Sequence, residues 1–395
     1  MARTQPASQL GEYLRGLRGR TGLTLRQVQD LSQSHPEPIT FDYLCRAERG
    51  RLTPSPQKLL TLSHVYEVPA QSFLDKLDLA QFEAYSPASR EPEECRRLGV
   101  AEGEKGDYRK AYACFQKGLQ LLDTAPVRDP AESAELVARM RNNLAITLLR
   151  LGKHRMAEQE IERVLERRER SNYITSRSLN VLSGIHYQLD RLELAEAAAL
   201  AALRIARREG DSDQIRQSLI NLANPRFDFG QFRSAATIYR RAIALRRAGE
   251  NSQDITIALF NLGDCYHRLG DHCKAEDMYQ EGLAMAERLG NPRLKARGLL
   301  HRGRSLFLGG KLEAARSNLM ESRAIGMTHD YCLETFDSMY YLWRMAIGQK
   351  VGSEAAELFR ALKKLRLRVD QRSEEVLSFD ACLTEVRSRR RQKGA

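Results

Sequence analysis

No stretch of this sequence stays apolar for long; the longest runs, such as 194–203, are rich in alanine and broken by Glu196. A membrane-spanning helix needs about 20 predominantly apolar residues, so none is expected. Met1-Ala2-Arg3-Thr4 leads directly into a polar amphipathic stretch without an apolar signal core, and a cytoplasmic protein is expected. The seven cysteines are scattered and odd in number, which fits reduced thiols in place of a disulfide framework. Convincing strands are missing too. With them go the glycine-rich phosphate loop that follows a strand and the nucleophile elbow of hydrolases, so an enzyme is not expected. Cys265, His267, His272 and Cys273 lie within nine residues and are zinc-type ligands, but no Cys-x-x-Cys spacing accompanies them. Neither a metal nor a cofactor is expected.

Positive charge is plentiful. The formal net charge of +12 is unevenly placed, because residues 1–78 carry ten Lys/Arg against eight Asp/Glu, whereas residues 360–395 carry eleven against five. Half of the excess therefore sits at the C-terminus, in Lys363, Lys364, Arg366 and Arg368 and in the tail from Arg387 to Lys393. Such a tail is either a solvated end or a source of nonspecific phosphate affinity. The run from Glu166 to Arg170 mixes signs and reads as a solvent-exposed helix face. Global charge alone does not make the N-terminal region a nucleic-acid binder.

A repeat dominates the rest. Ala195, Ala235, Ala275, Ala315 and Ala355 stand forty residues apart, each near the start of a helical run that follows a turn. The clearest copy reads Asn261-Leu262-Gly263, Tyr266, Leu269-Gly270-Asp271, Ala275 and Tyr279. Leu262 and Tyr266 share a helix face, Gly270-Asp271 break the helix, and Ala275 and Tyr279 share a face of the next. Other copies run through Leu98-Gly99, Gly106-Asp107 and Phe115; Leu144-Ala145, Gly152 and Ala157; Leu222-Ala223, Gly230 and Tyr239; and Gly303, Gly310 and Leu319. The copies at Ala195 and Ala355 are weaker.

These residues resemble the tetratricopeptide (TPR) family, whose pattern sets a Leu-Gly pair and Tyr in a first helix and Ala with an aromatic in a second. The period exceeds the family's usual length of about 34 residues, as helices lengthened by about a turn require. The resemblance implies a right-handed solenoid of paired helices in an all-α protein, and such solenoids are binding surfaces.

Ahead of the repeats, Leu10, Leu14 and Leu17 share a helical face, Gly22 ends that helix and Thr24 can cap a second over 25–32. Thr40 can cap a third over 41–48, Gly50 stops it, and Pro54-Ser55-Pro56 leads into a fourth with Leu59, Leu62 and Val65. Leu17-Arg18, Gly22-Leu23-Thr24, Glu48-Arg49-Gly50 and the Pro-Ser segment resemble the XRE/Cro-type helix-turn-helix family. That likeness implies an Arg18–Glu48 pair locking the first helix to a recognition helix. It also implies DNA contacts from Thr40, Phe41, Asp42, Tyr43 and Arg46 on that helix, from Arg49 and Arg51 at its end, and from Arg26 and Gln27 opening the helper helix. A guanidinium such as Arg46 can fork to guanine O6 and N7, whereas Asp42 can accept only from cytosine N4 and repels phosphate. Leu25 stands where the family often has Gln, and the turn holding His35-Pro36-Glu37-Pro38 is longer than the family pattern. The alternative is a four-helix cap that shields the first repeat.

On the repeats, positions flanking the Leu-Gly pair hold Asn143, Asn180, Asn221, Asn261 and His301, with Arg139, Arg177, Gln217 and Arg297 a turn earlier and Asn224, Asp264, His267 and Arg304 later. Asn carboxamides can grip a peptide backbone and arginines suit a carboxylate, or both sets are ordinary repeat residues and solvated charges. Asn224-Pro225 inside a first helix marks a kink or a hinge.

The expected organisation is a helix-turn-helix domain over 1–78, a linker over 79–94, six to seven repeats over 95–365 and a C-terminal helix with basic tail over 366–395. The combination resembles the peptide-pheromone receptors of bacteria and the arbitrium receptors of phages. It implies a homodimeric regulator of double-stranded DNA that senses a peptide or protein ligand. The rival reading is a repeat scaffold that recruits a partner protein with a head that does not read DNA. A solenoid gripping RNA draws on the basic C-terminus but lacks aromatic stacking platforms.

Overall fold

A computed structural model describes residues 6–124, 129–167, 171–245, 252–369 and 373–393, with side chains from 10 to 384 within those ranges. Residues 168–170 of the mixed-charge run and the side chains of the tail from Arg387 to Lys393 lie outside the described residues. The described residues form twenty α-helices and no strand. They divide into two compact units, Met1–Val100 with Tyr108–Glu160, and Ala101–Asp107 with Ile161–Ala395.

The first unit starts with the head: α1 (Pro6–Thr21), α2 (Leu25–Ser32), α3 (Phe41–Glu48), α4 (Pro56–Val65) and α5 (Ala70–Ala80). The starts of α2, α3 and α4 are chemically marked. Thr24, Thr40 and Ser55 accept the backbone N–H of Gln27, Tyr43 and Lys58, satisfying orphan donors of the first turns. Leu10, Leu14, Leu17, Leu44, Leu62 and Phe73 are buried together beneath these helices. A Cβ at Gly11 would lie 2.6 Å from the Ala47 carbonyl oxygen, so α1 crosses the end of α3 at a distance that only glycine permits.

From α5 the chain passes through a 3-10 turn (Gln81–Tyr85) to α6 (Pro92–Glu104), α7 (Tyr108–Thr124), α8 (Pro130–Arg150) and α9 (His154–Leu165). The 79–94 stretch does not hang free. Phe82 is buried and meets Tyr112 of α7 edge-on, with ring centroids 6.0 Å apart, while the Arg109 guanidinium lies over the Phe82 ring, 5.7 Å from its centroid. Lys153, in the turn before α9, pairs with Asp75 at 3.0 Å and Asp78 at 2.8 Å on α5. Burial pulls the Lys153 ammonium down, but the two aspartates outweigh it and hold it above its ordinary value. Lys153→Met is expected to cost about 2 kcal/mol, below the about 3–5 kcal/mol of a fully buried pair because Asp78 is half exposed. The check is amide hydrogen exchange in α5, which should accelerate about thirtyfold.

The second unit holds α10 (Asn172–Gln188), α11 (Leu192–Glu209), α12 (Ser212–Asp228), α13 (Phe232–Ala244), α14 (Gln253–Arg268), α15 (His272–Arg288), α16 (Pro292–Leu308), α17 (Leu312–His329), α18 (Cys332–Gly348), α19 (Gly352–Leu365) and α20 (Glu374–Lys393). Helices α10 to α19 pair in sequence, and the first helices of neighbouring pairs also touch. α12 runs through Pro225 as one helix, with the Phe229 N–H reaching the Pro225 carbonyl at 2.9 Å.

One backbone feature recurs in every pair. The turn between first and second helix contains a residue in the left-handed region: Gly106, Gly152, Asp190, Gly230, Gly270, Gly310 and Lys350. Close approach of the two helices recurs as well. A Cβ at Gly99 would meet Phe115 at 2.6 Å, one at Gly263 would meet Tyr279 at 2.5 Å, and one at Gly303 would meet Leu319 at 2.8 Å. The glycine and the aromatic or Leu are thus two halves of one contact, sixteen residues apart in each of these three copies.

Candidate functional site

In the head, Arg18 forks onto Glu48: Nε donates to Oε1 at 2.7 Å and Nη2 to Oε2 at 2.9 Å, while Arg15 reaches the Glu48 carbonyl at 2.9 Å. The hydrogen bond to Glu48 holds the Arg18 guanidinium above its ordinary value. This pair turns Leu44, Ala47 and Glu48 of α3 inward and leaves Phe41, Asp42 and Arg46 outward. Phe41 is 43% exposed, and its N–H donates to Gln29 at 2.6 Å, tying the start of α3 to the helper helix α2.

Arg26, Arg46, Arg49 and Arg51 are all exposed, and among the described residues none of these four side chains has a partner. Three of them gather at the C-terminal end of α3, where the helix dipole favours cations and a phosphate backbone would complete them. The other candidates have local duties. Thr40 caps α3, and Gln27 closes a capping box by accepting the Thr24 N–H at 2.8 Å. Tyr43 is half-buried beneath Lys58, whose Nζ lies 4.5 Å from the ring centroid, so it stands to the side of Arg46 and Phe41.

The long turn between α2 and α3 is held back against α4. Lys58 donates to the Pro38 carbonyl at 3.0 Å, Thr61 donates to that of Glu37 at 3.0 Å, and His35 stacks on His64 at 5.1 Å. Ser32 Oγ accepts the Ile39 N–H at 2.8 Å, which closes the base of the turn. The extra residues therefore leave the outward face of α3 clear.

On the repeats of the first unit, Arg139 is exposed and pairs with Glu135 at 2.6 Å, and Asn143 is buried in α8. In the second unit the carboxamides form a ladder between first helices. Asn180 Nδ2 donates to Gln214 Oε1 at 3.0 Å, Asn221 Nδ2 donates to the Asn180 carbonyl at 2.8 Å, and Gln217 donates to Asn221 at 3.2 Å. Asn180 and Asn221 are 4% and 8% exposed, so their first role is to bond α10 to α12. Arg177 reaches the Tyr173 hydroxyl at 3.3 Å. Asn224 accepts from the Tyr239 hydroxyl at 2.5 Å and from Asn261 at 3.1 Å, with both carboxamides half-buried.

The charged centre is Asp264. One carboxylate oxygen accepts from Tyr279 at 2.7 Å; the other accepts from His301 Nδ1 at 2.7 Å and from Arg304 Nη2 at 2.5 Å. Burial alone would raise its pKa, but Arg304 and His301 outweigh burial and hold it well below the usual carboxylate range. His301 stacks on Phe260 at 5.8 Å, and Arg297 lies 3.4 Å from its Nε2, the pattern of a neutral ring. Burial pushes its pKa down accordingly. The second Arg304 nitrogen faces Glu375 of α20 at 3.7 Å, and Tyr341 donates to the same Glu375 oxygen at 2.7 Å. The structure thus brings Asp264, His301 and Arg304 into one network, and Asn224 and Asn261 into another.

Several of these partners lay outside the sequence reading. Tyr239 and Tyr279 were visible as repeat markers but not as hydroxyl donors to Asn224 and Asp264. Lys153, Tyr341 and Glu375 carry no motif at all, and their partners lie 34 or more residues away in sequence.

Residues 9–73 match the family described as "Helix-turn-helix domain", and residues 136–208, 174–248 and 254–327 match "Tetratricopeptide repeat". Among curated proteins no sequence matches this chain. Solved structures of similar fold include the Rap conjugation gene regulator of the plasmid pLS20 in complex with the Phr* peptide. It is 13% identical with a TM-score of 0.57, over 93% of this chain and 98% of that one. A Rap protein complexed with Competence and Sporulation Factor is 16% identical with a TM-score of 0.55, over 91% and 97%. PlcR of Bacillus thuringiensis, in complex with the peptide PapR7 and DNA, is 16% identical with a TM-score of 0.42, over 71% and 95%. The chain is an all-α protein that carries an N-terminal helix-turn-helix domain and tetratricopeptide repeats.

Proposed function

We propose that this chain is a cytoplasmic, sequence-specific DNA-binding regulator. The head over 1–78 reads double-stranded DNA through α3, and the repeats over 95–365 bind a peptide or protein and mediate homodimerisation. The observation that carries the reading is the set of exposed Arg46, Arg49 and Arg51 at the end of α3, without a partner among the described residues, beside the buried Glu48 that Arg18 already satisfies. Arg46 with Phe41 and Asp42 supplies base contacts, and Arg26, Arg49 and Arg51 supply phosphate contacts. A single head has little affinity, so two heads on a two-fold site are the natural arrangement. The Phr* peptide and Competence and Sporulation Factor in the two Rap structures support a peptide as ligand. Catalysis forms no part of this reading.

Fluorescence anisotropy against the chain's own upstream DNA and unrelated DNA of equal length, titrated with salt, tests it. A specific excess of about a thousandfold or more is expected. Equal, steeply salt-dependent binding to both overturns it. In the same assay Arg46→Ala with Arg49→Ala should lower specific affinity about a hundredfold, since a bidentate base contact is worth about 1–3 kcal/mol and each lost phosphate contact adds to it.

Asp42 favours a second reading, because an exposed carboxylate on the outward face of α3 repels phosphate. In that reading the repeats are a scaffold for a partner protein, and the double arginine variant leaves partner binding unchanged.

A further inference from the structure

α20 follows the last helix pair, yet its first turn enters the polar network of the first helices. Ser373 caps it, accepting the Val376 N–H at 3.1 Å and donating to Asp337 on α18 at 2.9 Å. Glu375, 5% exposed, takes the Tyr341 hydroxyl and faces Arg304. One turn on, Phe379 is fully buried, with its ring 5.7 Å from Trp343 and 5.5 Å from Phe336. A guanidinium and a phenol hydroxyl converging on one carboxylate make a charge-assisted acceptor site. Here the carboxylate comes from outside the repeats.

The docked turn also carries an electrostatic load. Arg304 already serves Asp264, and Asp337 is buried near Glu375. Burial first, and Glu375 second, push the Asp337 carboxyl well above its ordinary range.

We propose that Arg304 and Tyr341 form the carboxylate subsite of the repeat domain, that Glu375 is its resident occupant, and that a peptide carboxylate takes its place and lifts the first turn of α20. The inference rests on the reading of the repeats as a peptide-binding domain and names the chemistry of the ligand: a free C-terminus or an acidic side chain.

Trp343 is the sole tryptophan and touches Phe379, so its emission reports the docking of α20 in the full chain. The probes are acetyl-Ala-Ala-Leu as free acid, the same tripeptide as C-terminal amide, and the amide with Glu in place of Leu. In Glu375→Gln, Trp343 emission should shift to the red and hydrogen exchange over 374–384 should accelerate about tenfold or more. The free acid should bind this variant about tenfold more tightly than it binds the parent chain and in preference to the amide. Adding Arg304→Gln should erase that preference. Binding of the Glu-bearing amide assigns the subsite to side chains, and binding of the free acid alone assigns it to C-termini. Tyr341→Phe removes the hydroxyl without changing charge and should loosen α20 in the same direction.

Unchanged exchange in both Glu375→Gln and Tyr341→Phe overturns the proposal, as does a loosened α20 with no preference for acid over amide. DNA binding is not read in these measurements. A failed subsite leaves the regulator standing, and a head that ignores DNA leaves the subsite standing.

Discussion

Asp264→Asn is expected to destabilise the second unit by about 3–5 kcal/mol, the cost of breaking a buried ion pair from one side. The carboxylate is the shared acceptor of three donors from two helices, Tyr279 on α15 and both His301 and Arg304 on α16, and Asp264 itself stands on a third, α14. An amide keeps one acceptor oxygen but turns its NH2 toward a guanidinium, and it removes the charge that offsets the desolvation of Arg304. The pH dependence has a definite sign. A carboxyl held below its unfolded value contributes stability above about pH 4, where the unfolded group is also ionised, and that contribution fades as pH falls toward the folded value. The gap between parent and variant should therefore be full at pH 7 and shrink below about pH 4. Urea unfolding at several pH values measures it, and a gap that stays constant between pH 7 and pH 3 overturns the account.

Arg18→Ala is expected to cost the head about 3 kcal/mol, several times what a surface pair is worth, because it strands Glu48 beneath α1. Arg15 lies 4.0 Å from the same carboxylate and is more than half exposed, so it compensates only in part. Changing both partners, Arg18→Met with Glu48→Leu, should recover most of the loss, since two apolar groups leave no buried charge behind. Hydrogen exchange of α1 and α3 reads both results. Under the proposed function, Arg18→Ala weakens DNA binding without touching a base, by freeing the helix that carries Arg46.

Much of the head was legible because its boundaries are set by local chemistry. Thr24, Thr40 and Ser55 cap the helices that they announce, and the Arg18–Glu48 pair implied by family resemblance is present. The repeats were legible for a similar reason, because one turn conformation recurs. Their two weak copies have a physical explanation. In the copies at Ala195 and Ala355 the left-handed turn residue is Asp190 or Lys350 in place of glycine, so the strongest marker is missing while the backbone keeps its course.

What the spacing could not give is which way a side chain turns. Each residue along a helix rotates the direction by about 100°, so a position known to within one residue leaves Asn180 pointing either at open space or at Gln214. Contacts between distant elements, such as Lys153 with Asp75 and Arg304 with Glu375, leave no periodic trace.

The tie between α5, the 3-10 turn and α7 to α9 sets the place where this chain can be recombined. A head exchanged at 79–94, where composition suggests a seam, would strip Phe82 from Tyr112 and leave Asp75 without Lys153. The compact unit that holds the head is larger than the helix-turn-helix match and extends, apart from residues 101–107, to Glu160 in α9, so a hybrid protein built from this chain should carry α7, α8 and the start of α9 along with its head.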